Sequence, residues 1–68
     1  MITYLVNEVC EFTRPELIEM LTEYIEENHI STETIPWCFS YETIERSMRG
    51  NAVRIGRFLG FNIIKLHD

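Results

Sequence analysis

The segment Thr13-Arg14-Pro15-Glu16 constrains this chain more than any other. Thr13 suits a helix N-cap, and Glu16, three residues on, is placed to return the bond, which is the capping-box pattern. Pro15 falls in the first turn, where its missing N–H costs nothing. Leu17, Ile18, Met20, Leu21, Tyr24 and Ile25 then form one stripe, and Glu16, Glu19, Thr22, Glu23, Glu26 and Glu27 form the opposite one. This spacing predicts an amphipathic helix running to about Asn28. One face is offered to a core and the other to water. Glu19, Glu23 and Glu26 are read first as a solvated face, and second as an acidic surface for a protein partner.

A second helical stretch is predicted over 41–49, capped by Ser40, with Tyr41, Ile44 and Met48 inward and Glu42, Glu45, Arg46 and Arg49 outward. Gly50 allows a turn, and Asn51 is read as the cap of a further helix over 52–59. Ala52, Ile55, Gly56 and Leu59 form its inward face, Arg54 and Arg57 project outward, and Gly60 ends it. Residues 61–67 read as a β-rich strand. The connector 29–39 holds the turn-prone Ser31, Thr32 and Thr34 and the breaker Pro36. Ile35, Trp37 and Phe39 alternate there, so a short extended segment is expected to pair with 61–67. Trp37 is read as a core plug, with an exposed partner anchor as the alternative. The opening residues 2–12 are ambiguous. At 100° per residue Ile2, Leu5, Val6, Val9, Cys10 and Phe12 share a side, yet Ile2, Tyr4 and Val6 also alternate. The helical reading is preferred, because Leu5 and Val9 spoil a strand.

With 68 residues the chain is one domain, 1–68. No run approaches a membrane span, and no basic start with an apolar run marks a secretory signal. A cytoplasmic protein is therefore expected. Its two cysteines, Cys10 and Cys38, are read as reduced, buried thiols. The net charge of −5 is unevenly spread. Residues 1–45 hold ten glutamates against Arg14 alone, whereas 46–68 hold five basic residues against Asp68. The total charge argues against non-specific nucleic-acid binding, but the local charge of the C-terminal third permits a phosphate contact if its arginines share a face.

The two short stretches joined through Arg49-Gly50-Asn51 suggest a helix-turn-helix, in which a second helix buries one face and offers polar side chains to base edges. Arg54 and Arg57 would do the reading, since a guanidinium pairs bidentately with guanine or clamps a phosphate. Arg46, Arg49 and Lys65 would contact phosphates, and Asn51 would be a cap or a polar contact.

The order of segments YLVNEVCEF, PELIEMLTEYIEEN and AVRIGRFLGFNIIKL resembles the small winged-helix domains at the C-terminal end of phage and plasmid primase-helicases, and winged-helix proteins more broadly. The resemblance spans most of the chain and rests on hydrophobic spacing. It implies that IGRFLGF ends a recognition helix and enters the first wing strand, with Arg54 and Arg57 on the helix and Lys65 and His67 at the wing edge. The chain departs from the pattern in two ways: it carries no ATPase or primase portion, and the eight residues from Phe61 suffice for one strand only.

Catalysis has little support. Gly50, Gly56 and Gly60 form no phosphate loop, and Cys10, His29, Cys38 and His67 lack the paired short spacing of a zinc site. His29, just past a helix end, suits the negative end of the helix dipole. No metal or cofactor is expected. The reading is a mainly α, winged-helix-like single domain with a short β element. It is expected to bind double-stranded DNA as a small regulator or accessory replication protein of phage or mobile-element type, and to form a homodimer through 2–12. The alternative is an acidic protein-protein regulator that never touches DNA, acting through Glu19, Glu23, Glu26 or Trp37.

Overall fold

A computed structural model describes residues 2–35 and 50–67. Its elements are β1 (Thr3–Val6), β2 (Cys10–Thr13), α1 (Arg14–Glu27), a 3-10 turn (Thr32–Thr34), α2 (Ala52–Phe58) and β3 (Ile63–His67). The strands form one antiparallel sheet in the order β2-β1-β3. The fold is mixed α and β, which corrects the mainly helical, winged-helix-like expectation. The predicted helix over 41–49, Trp37 and Phe39 lie outside the described residues.

The correction begins at the first residues. Residues 2–12 form a hairpin and not a helix. Val6 pairs with Cys10 across a three-residue loop, and the Val9 N–H donates to the Val6 carbonyl at 3.1 Å. Asn7 and Glu8 between them both have positive φ, 52° and 60°, as a type I′ turn requires. The two residues that argued against a strand are thereby explained. Val9 sits in the loop, 79% exposed, and Leu5 faces the outer side of the sheet opposite Ile64. Tyr4, Val6 and Phe12 take the inner side and join the core. Cys10 is exposed, not buried, because β2 begins there beside the open turn. β3 pairs with β1, and a bulge between Thr3 and Tyr4 leaves Leu66 as the extra residue. Of the segment expected to pair with 61–67, Ile35 is buried directly after the 3-10 turn, and 36–39 lie outside the described residues.

α1 matches its expected bounds because its start signals are local. The Glu16 carboxylate accepts from the Thr13 N–H and from the Thr13 hydroxyl, each at 2.9 Å. Leu17, Leu21 and Ile25 are almost fully buried, each burial being worth about 1.5–3 kcal/mol. They meet Ile55 and Ala52 of α2, Val6 and Ile63 of the sheet, and Ile35. Tyr24 and Phe61 close one end with an edge-to-face contact, centroids 4.9 Å apart. Both helices therefore lie on the inner face of the sheet. Among the described residues no helix is long and apolar enough to cross a membrane.

Candidate nucleic-acid interface

α2 buries Ala52, Ile55 and Gly56, as its spacing predicts, and this turns Arg54, Arg57 and Phe58 outward. The two arginines differ in what they do. Arg57 reaches across the end of its helix, where its Nη2 donates to the Ile63 carbonyl at 2.9 Å. It therefore fastens α2 to the start of β3 as well as carrying charge. Arg54 lies a turn earlier, at the rim of a cleft of about 310 Å³. The cleft is lined by Tyr4, Arg14 and the stretch from Gly50 to Arg54.

The hairpin register explains why Arg14 is there. Thr3 lies opposite Thr13, so the next residue, Arg14, emerges beside the start of β1. The first turn of α2 arrives at the same end of the sheet, which brings Arg54 to the cleft some forty residues later in the chain. Lys65 is exposed and is the cross-strand partner of Tyr4, so it occupies the same face of the sheet. Arg14 and Arg54 thus line one cleft with Tyr4, and Lys65 lies opposite Tyr4 on the neighbouring strand. Beyond Arg14, a shallower and mainly apolar hollow is lined by Ile2, Thr13, Arg14 and Pro15.

Asn51 does not act as expected. Its side chain makes no capping bond, although its carbonyl accepts from the Ile55 N–H at 2.9 Å. Asn51 is instead one of the residues lining the cleft. Arg46, Arg49 and Trp37 lie outside the described residues. Glu19, Glu23 and Glu26 are all exposed on α1, as the alternative reading requires. Sequence reading overlooked Arg14 and Tyr4 as site residues. Arg14 was accounted for as the first residue of a capped helix, and its position beside Arg54 depends on a hairpin register that the helical reading of 2–12 excluded.

Among the described residues no three His, Cys, Asp or Glu side chains gather where they could hold a metal ion. The chain matches no family model, no curated protein and no solved structure.

Proposed function

We propose that this protein is a small DNA-binding module, a regulator or accessory replication factor, that contacts phosphates through Arg14, Arg54, Arg57 and Lys65. The observation that carries the reading is that Arg14 and Arg54 line one cleft with Tyr4, with Lys65 opposite Tyr4 on the next strand, on a chain whose net charge is −5. A local positive surface of this kind attracts a polyanion despite an unfavourable net charge. Guanidinium groups suit phosphate because their donors form a planar fork. A homodimer would double this surface; Val6 is buried and Tyr4 and Phe12 pack against the core, so Ile2, Leu5 and Val9 remain as its apolar contacts from 2–12.

The reading is tested by fluorescence anisotropy against a mixed-sequence duplex at low salt. Arg54→Ala and Lys65→Ala should each weaken binding and reduce the magnitude of the salt slope by about one. Arg57→Ala also removes the bond to the Ile63 carbonyl. Unchanged affinity in both variants would overturn the reading. The exposed Glu19, Glu23 and Glu26 would then be the better candidate surface, for a basic protein partner.

A further inference from the structure

The cleft has more in it than a phosphate contact uses. Its volume, about 310 Å³, is at the lower end of the range for small-molecule sites and exceeds what a bare phosphate fills. Its lining brings together two arginines, Arg14 and Arg54, with Tyr4 and with Asn51, whose side chain makes no capping bond. A guanidinium pair holds a phosphoryl group. An aromatic ring offers a stacking surface to any base. A side-chain amide provides one donor group and one acceptor for a base edge.

We propose that this cleft is a seat for one nucleotide, its phosphate between Arg14 and Arg54 and its base against Tyr4. The proposal rests on the reading of this surface as a nucleic-acid interface and narrows it to a single unpaired unit. Two sources present that chemistry: a free mononucleotide, and an unpaired nucleotide at the end of a strand.

The test is NMR titration of the full chain with a nucleoside monophosphate, a single-stranded oligonucleotide, a blunt duplex and acetate. A nucleoside monophosphate should bind in the millimolar range or tighter and shift the Tyr4 ring and the amides from Gly50 to Arg54. Arg14→Ala should weaken it about tenfold or more, because a charge-assisted bond is lost. Arg14 is exposed, so its replacement leaves the core untouched. Tighter binding of the single strand than of the mononucleotide assigns the strand end as the source, and the reverse assigns the free nucleotide. Equal shifts with acetate would overturn the proposal, as would an unchanged affinity in Arg14→Ala. Duplex binding together with no shift of the Tyr4 ring by either the mononucleotide or the single strand would overturn the nucleotide seat and keep the interface. Mononucleotide binding without any duplex binding would do the opposite.

Discussion

Asn7, Glu8 and His29 hold positive φ although none is glycine. Asn tolerates that region, and Asn7 is further tied down. Its N–H donates to the Asn62 carbonyl at 2.7 Å, and its Oδ1 accepts from the Asn62 N–H at 2.9 Å. Glu8 and His29 have no side-chain bond of this kind among the described residues, and a left-handed residue with a Cβ costs about 1–2 kcal/mol. Glu8→Gly and His29→Gly should therefore each raise stability by about 0.5–1 kcal/mol, after the larger chain entropy of glycine is subtracted. Urea denaturation of each variant checks this, and a lowered midpoint would refute it. Glu16 supplies a pH dependence. The bonds from the Thr13 N–H and then from the Thr13 hydroxyl hold its carboxyl below the ordinary glutamate value. Because the folded value is depressed, the contribution is present above the unfolded pKa and is lost as pH falls through the folded one. In an NMR pH titration, Thr13→Ala should move the Glu16 midpoint back up, since the hydroxyl's share is lost. An unmoved midpoint would show that the hydroxyl does not matter.

The two helices end in the same way, and this organises the elements. At the end of α1 the His29 N–H donates to the Glu26 carbonyl and the Ile30 N–H to the Ile25 carbonyl. At the end of α2 the Gly60 N–H donates to the Arg57 carbonyl and the Phe61 N–H to the Gly56 carbonyl. Both are Schellman motifs, with His29 and Gly60 at the left-handed position and Ile30 and Phe61 packed on the core behind it. Gly60 announced the second in the sequence, whereas His29 hid the first. The same distinction runs through the fold. α1 was legible because its cap, its proline and its 3.6 period all agree. The opening hairpin was not, because its strands are four residues each and its turn is Asn-Glu, without the glycine that marks a type I′ turn. At the helix–sheet contact, a Cβ on Gly56 would overlap Ile63 Cδ1 and touch both Leu21 methyls at 3.4 and 3.5 Å. Gly56→Ala gains about 1 kcal/mol in helix propensity but overpacks a filled site at about 1–3 kcal/mol. A net loss is expected. Adding Ile63→Val, which removes the offending methyl, should restore part of it, so the double variant should be more stable than the two single effects predict. Strict additivity would place the strain elsewhere.

At the scale of the molecule, the outward direction of Arg54 and Arg57 was legible, because the apolar side of α2 fixes it. The cleft was not, since it needs residues from β1, the start of α1 and the start of α2 together. Arg14, the lone cation of the acidic portion, acquires its significance only when the Thr3–Thr13 register sets it beside Arg54. Net charge alone would have pointed away from nucleic acid, and it is the folded arrangement of the cations that supports the proposed function. The most direct measurement is the salt dependence of duplex binding by the unmodified protein. Each neutralised phosphate contributes about −0.9 to the slope of log K against log salt, so contacts by Arg14, Arg54, Arg57 and Lys65 predict a slope of about −3.6. A flat dependence, or no binding at the lowest salt, would contradict the account.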